Sequence, residues 1–426
     1  MAATVAPSPS TARRLSALLA LAVFINYVDR GNLATAAPVL ATELHLSATQ
    51  IGILLSSFYW TYAISQLGAG WLAERFPVGR VIAAGFAIWS VATILTGLVS
   101  GFVALLCLRL VLGLGESVAF PCSSKMLAEH VSVSRRGRSN ASIALGIALG
   151  PAFGTYVGGM ILARFGWRYL FLSLGALSLL WLVPWLRGPM RSLPSRPAEE
   201  SRDAPSFPAI LRQRSAMGAA LGHFTANYIF YFVLSWLPFY LVQDRGYSLE
   251  RMAVLGGLTY LMHAVGALAT GIVTDGAIER GTSPHRVYKT TLVASQISSS
   301  VCLLGVLLGG TALSSACLLA VGFTFGLASP TLYAVAQLLA GPKAAGRWVG
   351  YQGFVGNLAG IVGPAITGFL VDSSGSFYSA FVLAIVISLV GVLSWTVIVP
   401  RIAPVQWGAA GDVLYPTAGT SSALAP

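Results

Sequence analysis

Between Leu15 and Val399 the chain repeats one pattern twelve times: an apolar run long enough to cross a bilayer, then a short polar loop. A helix needs about 20 apolar residues to span the hydrocarbon. Backbone polar groups have no water to bond there, so the spanning segments must be helices or a closed barrel. Runs of this length select helices. The expected fold is an all-α integral membrane bundle of twelve transmembrane helices. Composition agrees: 9% of the 426 residues are charged and 56% are hydrophobic, whereas a soluble domain carries about 25% charged residues. The 46 glycines suit tightly packed helices, because small residues let backbones approach.

The runs are expected at about 15–40, 50–73, 81–100, 102–127, 140–163, 167–186, 217–242, 252–278, 287–309, 313–339, 348–371 and 378–399. Between the sixth and seventh lies the one long polar segment, rich in Pro, Ser and Arg. The chain then divides into a cytoplasmic tail 1–14, a six-helix bundle 15–187, a cytoplasmic linker 188–214, a second bundle 215–400 and a disordered tail 401–426. An internal echo supports duplication. Gly150-Pro151-Ala152-Phe153-Gly154 in the fifth run matches Gly363-Pro364-Ala365-Ile366-Thr367-Gly368 in the eleventh. Both elements read as bending points. Two parallel six-helix repeats with a site between them at mid-depth is a transporter plan.

The formal charge of +12 speaks to topology here, not to nucleic acid. Arg164, Arg168, Arg245 and Arg251 fall on one side and Arg30 and Arg109 inside helices; the remaining 20 of 26 basic residues fall on the other side. Lys and Arg accumulate in cytoplasmic loops. Both termini are therefore expected in the cytoplasm, with the chain a multi-pass protein of the inner (plasma) membrane. The N-terminal run contains Asp29 and Arg30 and makes a poor cleavable signal, so the first helix is expected to stay. Cys107, Cys122, Cys302 and Cys317 lack CxxC spacing and read as packing residues. There is no metal motif and no cofactor is expected.

Four full charges lie deep in helices, all in the first half: Asp29, Arg30, Arg109 and Glu116. Charges at mid-membrane cost about 2.5–3.5 kcal/mol each on insertion scales and mark functional interiors. Arg109 and Glu116 sit seven residues apart in LLCLRLVLGLGESVAFP (Leu105–Pro121), about two helical turns, hence on nearly one face. Gly113 and Gly115 leave room for a close neighbour. Asp29 and Arg30 are adjacent and point about 100° apart. One of them is expected to face the pathway while the other pairs with the fourth helix. A carboxylate that shares an arginine with an incoming anion links proton binding to anion binding. Asp29 and Glu116 are thus candidate proton carriers, with H+ as the coupling ion. Arg30 and Arg109 are candidate anion binders or switching partners, since the planar guanidinium can donate two parallel bonds to a carboxylate. In the second half, Asn227, Tyr228, Tyr231, His263, Gln337, Gln352 and Asn357 are neutral polar groups able to bond a polyol. Tyr27, Tyr59 and Tyr62 could line the same cavity.

These residues resemble those of the major facilitator superfamily and, within it, the anion:cation symporter family of bacterial sugar-acid permeases. The stretches that carry the resemblance are NYVDRGNL (Asn26–Leu33), RLVLGLGE (Arg109–Glu116), FGWRYLF (Phe165–Phe171) and GNLAGIVGP (Gly356–Pro364). GWLAERFPVGR (Gly70–Arg80) is similar to the superfamily's signature loop, with Glu74 where Asp is usual. The resemblance implies two six-helix bundles, alternating access, and import of an organic anion with protons. It implies that Asp29 and Glu116 match the protonatable pair, that Arg30 holds the substrate carboxylate, and that Arg109 pairs with the acids. It implies that Tyr27, Tyr62, Gln352 and Asn357 match cavity positions.

The partners expected are therefore a small organic anion and the lipid bilayer, with no nucleic acid. The chain is expected to work as a monomer. A phosphate-ester or aromatic-acid carrier, or a drug or cation exporter, would share the fold. An exporter would need acids without arginines facing the ligand. A sensor would need a soluble signalling domain, and a channel a multi-subunit pore. No nucleophile–base pair, metal set or phosphate loop suggests an enzyme.

Overall fold

The computed structural model describes residues 9–131, 133–188 and 205–407. Most of the expected linker and tail, and the side chain of Glu74, lie outside this set. Every regular element among the described residues is helical. The first six spanning helices are α1 (Pro9–Glu43), α2 (Ala48–Arg75), α3 (Val78–Thr96), α4 (Phe102–Glu116), α5 (Val133–Phe165) and α6 (Trp167–Leu180). The last six are α7 (Arg214–Phe239), α8 (Leu249–Glu279), α9 (Pro284–Leu308), α10 (Thr311–Gly341), α11 (Arg347–Ser374) and α12 (Tyr378–Leu393). Eleven described helices are long and apolar enough to cross a membrane. α2 is as long but less apolar, because Ser56, Ser57, Tyr59, Trp60, Thr61 and Tyr62 occupy its middle.

Local chemistry sets the ends. Ser47 and Gln50 form a capping box at the start of α2, which satisfies amides that have no partner within the helix. Ser248 and Ser283 cap α8 and α9 more simply, each side chain accepting from one amide, that of Arg251 and of Arg286. Gly341, at φ 64°, separates α10 from α11, and Gly375, at φ 69°, ends α11; both lie in the left-handed region that only glycine enters without strain. Two expected helices are interrupted. The run 102–127 breaks after Glu116 and resumes at Ala119–His130. The run 167–186 breaks at Trp181 and resumes at Leu182–Arg187. The cause is the same in both. Proline lacks an N–H and its ring blocks the carbonyl four residues earlier. Pro121 does this to Ser117, and Pro184 to Leu180.

Within the first six, α1 packs on α5, and α4 on α2 and α3; within the last six, α7 and α9 both pack on α12. The halves meet along three seams: α2 with α11, α5 with α8, and α1 with α7. Helices alternate in direction, so the odd-numbered ones start at the end of the molecule that holds the N-terminus of α1. Contacts between halves gather at the opposite end. There Gln243, beyond the end of α7, donates to Pro38 O at 3.1 Å and to Thr42 Oγ1 at 3.3 Å. Gly159 of α5 meets Ala253 of α8. That end is closed.

Candidate substrate and coupling site

At mid-depth α1 brings Arg30 against α4. Arg30 Nη2 lies 3.3 Å from Glu116 Oε2 and donates to Asn26 Oδ1, one turn back on α1, at 3.1 Å. Both ion-pair partners are buried. The guanidinium is boxed by rings. Its carbon is 4.5 Å from the Tyr27 ring centre, 4.7 Å from Tyr62 and 5.2 Å from Phe58. Cation–π contact in a desolvated place favours the charged arginine. Phe58 and Tyr62 fall one turn apart on α2 and stack at 5.1 Å. α4 comes close enough for this because Gly113 lies directly on the main chain of Phe58; any side chain would collide there.

Arg30 therefore fills both roles that sequence divides between Asp29 and Arg30. It faces the ring-lined centre and it pairs with α4. Its long side chain reaches across where an aspartate cannot. Asp29 turns the other way, into the N-terminal six. It accepts from Asn32 Nδ2 at 2.9 Å and from Ser178 Oγ of α6 at 3.3 Å. Arg109 shares the buried face of α4 with Glu116, as the seven-residue spacing requires. It does not make the implied pair with an acid. Among the described residues it has no ion pair or hydrogen bond, and its guanidinium carbon lies 5.2 Å from Phe58. Arg30 and Arg109 thus approach the same phenyl ring, and Glu116 Oε1 makes no hydrogen bond.

The C-terminal half contributes neutral groups. Tyr231 of α7 donates to Asn357 Oδ1 of α11 at 2.8 Å, and its ring lies 4.6 Å from Tyr59 of α2. Tyr59 in turn lies flat on Gly360 of α11, where a side chain would displace it. These groups join the two halves beside Arg30, toward the closed end. On the side of the N-terminus the lining is open: Tyr333 of α10 is 49% exposed, against 3% for Tyr59.

Gln352, implied as a cavity position, makes no hydrogen bond to this group among the described residues. It sits buried inside the C-terminal half. Its amide donates to Leu332 O at 3.2 Å and lies 3.4 Å from His223 Nδ1, while its carbonyl accepts from Trp348 Nε1 at 3.3 Å. Its bonding capacity is used within its own bundle. Sequence reasoning also passed over Asn26 and Phe58 as site residues. Asn26 stands four residues before Arg30, a spacing that faces a helical neighbour. Phe58 carries no polar atom, so no chemical signal marked it.

The family model described as Major Facilitator Superfamily matches residues 19–364 and 285–420, and the chain belongs to this superfamily. It is 32% identical to the hexuronate transporter of Bacillus subtilis over 381 residues, covering 86% of this chain and 89% of that protein. It is 28% identical to the D-galactonate transporter of Escherichia coli, covering 92% and 97%. Among solved structures, a bacterial homologue of the lysosomal transporter Spinster, in an inward-facing and occupied conformation, superposes with a TM-score of 0.80 at 16% identity, covering 92% and 97%. That last likeness shows the fold. The chain is a multi-pass membrane transporter and not an enzyme.

Proposed function

We propose that the chain imports an organic anion, a sugar acid or similar monocarboxylate, together with protons by alternating access of its two halves. The observation that carries this reading is the Arg30–Glu116 pair inside a ring-lined centre. A substrate carboxylate that reaches Arg30 competes with Glu116 for it. Glu116, displaced, balances its charge by taking a proton or by turning to Arg109, whose Nε has no hydrogen-bond partner among the described residues. Asp29 is the second coupling carboxylate, held off the pathway by Asn32 and Ser178. Tyr27 and Tyr62 flank the bound carboxylate, and Asn357 with Tyr231 bonds the hydroxyls. The names of the relatives, hexuronate and galactonate transporters, support the substrate class. The bundles 15–187 and 215–400 are the moving units. The basic residues gathered on the N-terminal side support cytoplasmic termini in the inner membrane, and the site closes within one chain, which supports a working monomer.

The test is uptake of labelled glucuronate or galactonate into proteoliposomes. An inward proton gradient should raise the rate. Uptake that ignores the gradient sinks the coupling. A second reading, an aromatic acid as substrate, is favoured by one observation: Tyr27, Phe58, Tyr59, Tyr62, Tyr231 and Tyr333 gather about Arg30. Strong competition by benzoate, with none by sugar acids, would select it.

A further inference from the structure

At the closed end one helix start is capped by a residue from the other half. The first amides of any helix lack partners within it, and that end carries partial positive charge. Ser47 takes the amide of Gln50 at 3.2 Å. The amides of Ala48 and Thr49, the first two residues of α2, go instead to Asp372 in the last turn of α11. Asp372 Oδ1 accepts from Ala48 N at 2.9 Å and Oδ2 from Thr49 N at 2.7 Å. One carboxylate of the C-terminal half thus completes a helix of the N-terminal half. The backbones allow it because two glycines face each other's helix: Gly368 lies on Ala48 O, and Gly52 on Pro364 O. The matching seam of α5 and α8 is built differently. There the start of α8 is capped by Ser248 of its own half, which accepts from Arg251 N at 3.3 Å.

We propose that Asp372 is the latch that holds the end opposite the N-terminus shut, and so sets how often the site opens on that side. The inference rests on the alternating-access reading above. Opening that end parts α2 from α11 and returns both amides and the carboxylate to water. Bonds from amides to a carboxylate are stronger than neutral ones, yet Asp372 is exposed, so the latch is weak enough to release in each cycle. Two bonds need two acceptor oxygens. Asparagine supplies one, and alanine none.

The experiment uses the full chain with its four cysteines replaced and Ser56→Cys added. Ser56 is fully buried on the α2–α11 seam, where its hydroxyl donates to Ile361 O. A maleimide that does not cross membranes is applied to right-side-out and to inside-out vesicles. From the face opposite the N-terminus, Asp372→Ala should label about fivefold faster than the parent, the size expected for loss of a helix cap. Asp372→Asn should fall between the two. Gln50→Ala, which removes the acceptor of the Ser47 amide in the capping box of α2 and leaves Asp372 in place, should label at the parent rate. Equal labelling of parent and Asp372→Ala overturns the latch, as does an equal rise in Gln50→Ala. If the alanine variant does not elute as a folded monomer, the asparagine variant decides by the same comparison. A parent reporter that never labels, even with substrate and a proton gradient, counts against alternating access; a rise in Asp372→Ala would still identify the latch.

Discussion

In the N-terminal six helices the buried polar groups at mid-depth are charged, and several have unused bonding capacity. Among the described residues Arg30 Nε, Arg109 Nε and Glu116 Oε1 make no hydrogen bond, while Arg30 Nη2 reaches Asn26 and Glu116. The C-terminal six bury neutral groups; Tyr228 Oη and both ring nitrogens of His263 make no hydrogen bond among the described residues, while the two buried glutamines at mid-bundle are bonded. Gln296 donates to Thr225 at 2.9 Å and accepts from Ser388 at 2.9 Å, and Gln352 joins Trp348, Leu332 and His223. Groups with spare capacity can exchange partners; satisfied ones hold a bundle together. On the proposed function, coupling falls to the charged groups of the first half and recognition of hydroxyls to the neutral groups of the second.

The largest test of that contrast is Arg30→Ala. It strands Glu116, and breaking a buried pair costs about 3–5 kcal/mol. Sugar-acid uptake should fall by at least about a hundredfold, measured as initial rate per folded transporter. Retention of half the rate would break the comparison. Next is Glu116→Gln, which keeps the shape but cannot carry a proton. Gradient-driven uptake should vanish while substrate exchange stays within about threefold of the parent, a change of under about 1 kcal/mol. Equal loss of both modes removes Glu116 from coupling. Asn357→Ala should raise KM about tenfold, or about 1.4 kcal/mol, with little change in maximal rate. The smallest effect belongs to Gln352→Ala. It should lower stability by about 1 kcal/mol, as interhelical hydrogen bonds in membranes do, visible as a Tm drop of a few degrees. Its KM should not move. If Gln352→Ala raises KM as Asn357→Ala does, the C-terminal half is not divided as drawn.

Much of this was legible before any coordinates. The apolar runs gave the helices, and the Arg109–Glu116 spacing gave one buried face. The breaks after Glu116 and at Trp181 were not legible, because Pro121 and Pro184 lie just beyond them while Pro38, Pro151 and Pro238 lie inside unbroken helices. The pairing was not legible. From spacing, Arg109 is as good a partner for Glu116 as Arg30 is. Gln352 and Asn357 sit in one glycine-rich helix and look alike on paper. Five residues of helix turn them to different partners of the same bundle, Gln352 to Leu332 and His223 and Asn357 to Tyr231, whose ring meets Tyr59 of the other half.

The sequence by itself determined that this chain spans a membrane with helices, because backbone groups in lipid must bond within their own segment. It also determined that the first half carries the deep charges. Only the tertiary structure decided which charges meet, that Phe58 stands between two arginines, and that Asp372 caps a helix of the opposite half. Those relations link residues 28, 86 and 324 positions apart or more in the chain. They depend on how helices close over one another, and helical periodicity carries no record of that.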